Sequence, residues 1–120
     1  MNIEIPGLDI SSGLDLCDGD ENIFLNVLRL YVSGIPSDLE KMKGVSAQTL
    51  ADYSVAAHSI KSMNRYIGAE DAREAVKELE MMAKSGDLAG VLAKNEAFIK
   101  LSQGIVENIK NWLKNNGQSG

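Results

Sequence analysis

One cysteine, Cys17, stands among 120 residues, so no disulfide can form within the chain, and a reducing cytoplasm suits it. Basic residues are in deficit. Twelve Lys and Arg against 17 Asp and Glu leave a net charge of −5, which argues against nucleic acid as a partner, because phosphate-backbone binding needs a basic surface. No apolar run approaches membrane-spanning length, and no basic, apolar leader opens the chain, so no direct membrane insertion is expected and the expected location is cytoplasmic. There is no glycine-rich phosphate loop, no Walker pattern and no Ser/His/Asp set. The chain therefore has no visible means of binding ATP by itself and is not expected to be an autonomous enzyme. With one histidine, one distant cysteine and acidic residues spread along several segments, neither a metal site nor a cofactor is expected.

Two prolines and 5% aromatics remain compatible with a helical protein built on Leu, Ile, Val, Ala and Met. The length is that of one domain with a single core. Residues 1–19 read as an irregular lead-in. Ile5-Pro6-Gly7 is a turn, Ser11 or Ser12 caps a short helix through Leu16, and Leu8, Leu14 and Leu16 cover one end of the fold. Asp20 caps the first long helix, whose core face is Phe24, Val27, Leu28, Tyr31 and Val32. Ser33-Gly34-Ile35-Pro36 ends it, and the S-x-x-E form of Ser37 to Glu40 starts a second helix that stops at Gly44. Ser46 or Thr49 caps a third helix, closed by Gly68. A fourth, from about Ala69 to Ser85, carries the apolar line Ala72, Val76, Leu79, Ala83. Asp87 opens a long fifth helix with Leu88, Val91, Leu92, Phe98, Leu101, Ile105, Ile109, Trp112 and Leu113 on its apolar face. Residues 115–120 read as a disordered tail. Strong stripes and short connections predict an all-α antiparallel four-helix bundle over residues 20–114, with one or two short additional N-terminal helices.

The third helix carries the one feature with visible chemistry. At about 100° per residue, Leu50, Tyr53, Ala57, Ile60, Asn64 and Ile67 share one stripe, and His58 lies roughly 160° from Ile60. Its neighbours on the outer face are Ala51, Ser54, Val55, Lys61, Ser62 and Arg65. A lone histidine on an outer face is ordinarily just a surface residue. Here Lys61 at i+3 offers a positive charge to an anion on the ring, and Ser62 at i+4 leaves the ring uncovered. A neutral imidazole is a competent nucleophile, and a phosphoryl group on it would carry charge that Lys61 offsets. Lys61 sits at the edge of the core stripe, with its stem packed and its ammonium wet.

His58-Ser59-Ile60-Lys61-Ser62, followed by Tyr66-Ile67-Gly68-Ala69, resembles the signature of the histidine-containing phosphotransfer (HPt) domain, H-x-L/I-K-G/S with a later Gly-Ala. The resemblance continues through Leu79-Glu80 and Ala83-Lys84-Ser85-Gly86-Asp87, an L-E…A-x-x-G-D pattern, and covers roughly residues 20 to 113. Ser62 stands where Gly is commoner, and Met63 and Asn64 stand where Ser or Ala is usual. The resemblance implies a phosphorelay carrier. His58 would accept a phosphoryl group on Nε2 from a receiver-domain phospho-aspartate and pass it to another receiver. Lys61 would stabilise the transferring group. Ala51, Ser54, Val55 and Ser62 would let the receiver approach, and Arg65 would meet its acidic rim. The catalytic machinery, metal included, would belong to the receiver. Response-regulator receivers, and a parent hybrid histidine kinase, are the implied partners of a domain expected to be monomeric. Two other readings stay open: the phosphoacceptor domain of a chemotaxis-type histidine kinase, and a helical interaction module in which His58 takes no phosphate.

Overall fold

In the computed structural model, residues 2–118 are described, and they fold into five α-helices without a strand. The short α1 spans Ile10–Leu16 and the bundle is formed by α2 (Glu21–Met42), α3 (Leu50–Ile67), α4 (Glu70–Lys84) and α5 (Leu88–Asn115). A single 3-10 turn, Ala47–Thr49, leads into α3. Each bundle helix packs on the next, and α5 closes against α2, which is the contact pattern of an antiparallel four-helix bundle. At 1.5 Å per residue α5 is about 42 Å long, close to the 46 Å long axis of the molecule.

The principal departure from the sequence pattern is at Pro36. One helix runs from Glu21 to Met42 straight through it, and Ser37 starts nothing. An interior proline costs about 3 kcal/mol. Continuing the helix keeps Ile35, Leu39 and Met42 on the same buried face as Phe24, Leu28 and Tyr31, each such side chain contributing about 1.5–3 kcal/mol by burial. Three such burials outweigh one missing N–H.

The N-terminus of α1 is also reassigned. Asp9 is the cap, accepting from the Ser12 N–H and from the Ser11 and Ser12 hydroxyls, so both serines serve the cap without being it. Leu8 and Leu14 pack partly buried against the core as expected, Leu16 is exposed, and Ile3 and Ile5 are buried beside them in the lead-in. Cys17 is buried too; burial, with Asp20 and Asp18 nearby, pushes its thiol pKa up. On α5, Leu92 and Leu101 face outward, and Ile99 and Val106 take core positions in their place. At the far end α5 includes Asn115. The Asn116 amide donates to the Trp112 carbonyl at 2.8 Å, and the Gln118 N–H donates to the Leu113 carbonyl at 2.7 Å. Arg29 Nε on α2 holds the Gln118 carbonyl at 2.9 Å. These bonds close the end of α5 through Gln118, within the stretch 115–120 that reads as a tail; residues 119 and 120 lie outside the described residues.

Two buried hydrogen-bonded ties cross the core. The Tyr31 hydroxyl on α2 donates to Asn64 Oδ1 on α3 at 2.6 Å, which gives the polar residue in the α3 stripe a side-chain partner. The Tyr53 hydroxyl on α3 donates to Asn95 Oδ1 on α5 at 2.8 Å, and Asn95 Nδ2 donates to the Met42 carbonyl at the end of α2, also at 2.8 Å.

The corner between α3 and α4 positions the site. Gly68 ends α3 at φ +76°, a left-handed conformation that favours glycine. Its carbonyl accepts from the Asp9 N–H at 2.7 Å, and a Cβ there would lie 2.0 Å from the Asp9 carbonyl oxygen. This corner turns α4 back along α3 with only Gly68 and Ala69 between them.

Candidate functional site

His58 projects from the middle of α3 with its side chain 59% exposed, on the face opposite the buried Tyr53, Ala57, Ile60 and Ile67. Ala51, Val55 and Arg65 share that outer surface as exposed residues, and Ser54 and Ser62 are half-buried on it. The Ser54 hydroxyl is turned back to the Ala51 carbonyl at 2.8 Å, which leaves a small, smooth flank one turn before the histidine. On the α2 side the Ser59 hydroxyl donates to Asp38 at 3.1 Å.

Beneath His58 lies a residue to which the sequence assigns no role beyond membership of a pattern. Glu80 on α4 has a side chain only 3% exposed, and its two oxygens gather three donors. Oε2 lies 2.8 Å from His58 Nδ1 and accepts from Lys84 Nζ at 2.9 Å. Oε1 accepts from Lys61 Nζ at 2.6 Å. A buried carboxylate is costly unless paired on all sides, and this one is paired. Burial pushes the Glu80 pKa up, but the hydrogen bonds from Lys61, Lys84 and His58 and the charge of Lys61 outweigh it and bring it down to about 2.

The ionised Glu80 fixes which ring nitrogen carries the hydrogen facing it. An ionised carboxylate only accepts hydrogen bonds, so Nδ1 must be the donor. In the neutral imidazole the lone pair is then on Nε2, at the end of the ring remote from the bond. The arrangement is that of a histidine oriented by a buried acid, with a free nucleophilic nitrogen facing outward.

Lys61 differs from its expected setting. Its side chain is 25% exposed, and its ammonium is engaged with Glu80 instead of standing free beside the ring. Lys84, present in the sequence only as a member of the Ala83–Asp87 pattern, joins the cluster with its side chain 62% exposed. The signal for Glu80 was in the α4 pattern. It stands four residues after Val76 and next to Leu79, at the border of the apolar line, where a carboxylate faces the neighbouring helix instead of water. Among the described residues no group of three or more His, Cys, Asp or Glu side chains could hold a metal ion, and no helix is long and apolar enough to cross a membrane.

A family model described as "Hpt domain" matches residues 26–115. No curated protein and no solved structure gives a match.

Proposed function

Because the chain belongs to the Hpt domain family, we propose that it is a phosphorelay carrier that takes a phosphoryl group on His58 from a receiver-domain phospho-aspartate and hands it to a second receiver. The observation that carries this reading is the pairing of an exposed imidazole with a buried, ionised Glu80 at 2.8 Å from Nδ1. The Nε2 lone pair attacks phosphorus in line. The N–P bond forms as the bond to the aspartyl oxygen breaks, and the aspartate leaves as a carboxylate with the electron pair. No proton has to leave Nε2. Nδ1 keeps its hydrogen, so the ring gains positive charge, which the Glu80 carboxylate offsets. Return to a receiver is the same path reversed.

Lys61 holds the other oxygen of Glu80 and adds a fixed positive field under the phosphoryl group. Ala51, Ser54, Val55 and Ser62 form the low flank on which receiver loops settle, and exposed Arg65 lies at its far edge. Docking turns a reaction between two proteins into a step within one complex. The single cysteine, which can form no disulfide within the chain, fits a reducing, cytoplasmic setting.

The test is incubation with a phosphorylated receiver domain. Wild-type protein is expected to acquire phosphate that is labile to acid and stable to base, and His58→Gln none. Transfer to the Gln variant would remove His58 from the mechanism, since no second histidine exists.

A further inference from the structure

The two lysines on Glu80 are not equivalent. Oε1 has Lys61 as its donor, whereas Oε2 is shared by His58 Nδ1 and Lys84. Withdrawing Lys61 would strip a nearly buried carboxylate oxygen of its partner, which is expensive. Withdrawing Lys84 leaves Oε2 still bonded to the Nδ1–H. Lys84 is also the more exposed of the two, at 62% against 25%, on a flexible four-carbon stem. It lies against the same oxygen as the ring, so its ammonium is no farther from Nδ1 than two hydrogen bonds end to end.

We propose that Lys84 is a movable counter-charge for the phosphohistidine. In the resting protein it rests on Glu80 Oε2. When His58 carries a phosphoryl group, Lys84 leaves that oxygen for the phosphoryl oxygens, while Lys61 stays on Oε1 and the Nδ1–H bond to Glu80 persists. The phosphoryl group then gains a cation without any cost to the orientation of the ring. This inference rests on His58 being the phosphoacceptor.

Phosphoramidate serves as a small-molecule phosphoryl donor that needs no receiver. Wild type, Lys84→Ala, Lys84→Arg and Lys61→Ala are phosphorylated with it, and loss of phosphohistidine is followed by 31P NMR, with the His58 ring nitrogens read by 15N NMR on the same samples. Lys84→Ala is expected to lose its phosphate about two- to fivefold faster, the scale of removing one partly exposed charge pair, with the Nδ1–H signature unchanged. Lys84→Arg keeps the wild-type lifetime, and Lys61→Ala disturbs the Nδ1–H signature before any phosphorylation. Equal lifetimes for wild type and Lys84→Ala overturn the inference. So does a lifetime shortened equally in Lys84→Arg, or a Nδ1–H signature lost in Lys84→Ala, since either assigns the residue to packing or to ring orientation. Wild-type protein that takes no phosphate at His58 overturns the carrier reading and the inference with it, whereas phosphorylated wild type with an indifferent Lys84 overturns the inference alone.

Discussion

At the scale of single residues, Glu80 is the buried partner of the His58 ring, and its titration is measurable. Its folded pKa of about 2 lies below the ordinary 4.5, so on acidification the unfolded chain binds the proton first. The stabilisation is complete above pH 4.5 and is lost as the pH falls through 2. Glu80→Gln should unfold about 1–3 kcal/mol more easily than wild type at pH 7, and denaturant titrations should show the gap closing over that acid range. A gap undiminished at low pH would mean that the charge of Glu80 is not its source. The same variant should slow phosphoryl transfer about ten- to hundredfold, the scale found for outer partners of metal-binding histidines, because an amide can offer Nδ1 either an acceptor or a donor. Lys61→Ala should also cost about 1–3 kcal/mol, as for a hydrogen bond to a buried charge, and not the small loss expected of a wet surface lysine; unfolding midpoints distinguish the two. His58 was legible because the period of one helix places it. The Glu80 cluster was not, because it depends on how two helices are registered against each other across 22 positions. A helical wheel holds no information about that register.

At the scale of elements, the capping acids and Gly68 were reliable punctuation, whereas Gly34 lies inside α2. Asp20 and Asp87 cap α2 and α5 as their positions foretell, and Gly68 closes α3. Pro36 was misleading for a reason that can be weighed: a local rule worth one proline competes with the burial of a whole turn. Replacing it isolates the local term. Pro36→Ala restores an N–H toward the Val32 carbonyl and should raise stability by about 1–3 kcal/mol. Leu39→Ala, two residues after the position where the helix was expected to begin again, should lower it by about 2–5 kcal/mol. Thermal unfolding of the two variants checks both signs. Destabilisation by Pro36→Ala would show that the rigid ring helps α2 more than the missing hydrogen bond harms it.

At the scale of the whole molecule, the bundle class was legible and its internal ties were not, since which tyrosine meets which asparagine is decided by packing. The two buried ties join α2, α3 and α5. Neither reaches α4. That helix is fixed to its neighbours by its apolar line, by the exposed Glu78–Lys94 pair and by the Glu80 cluster. Hydrogen–deuterium exchange therefore should not run evenly through the protein. Amides of α4 should exchange in an opening smaller than global unfolding, while those of α3 beside Tyr53 and Asn64 wait for the bundle to come apart. As the pH falls toward 2 and Glu80 takes up its proton, α4 should lose protection ahead of the other three helices. The carboxylate bonded to the His58 ring is in this sense also the latch of the helix that carries it, so the loss of that bond and the loosening of the wall beside it should be one event.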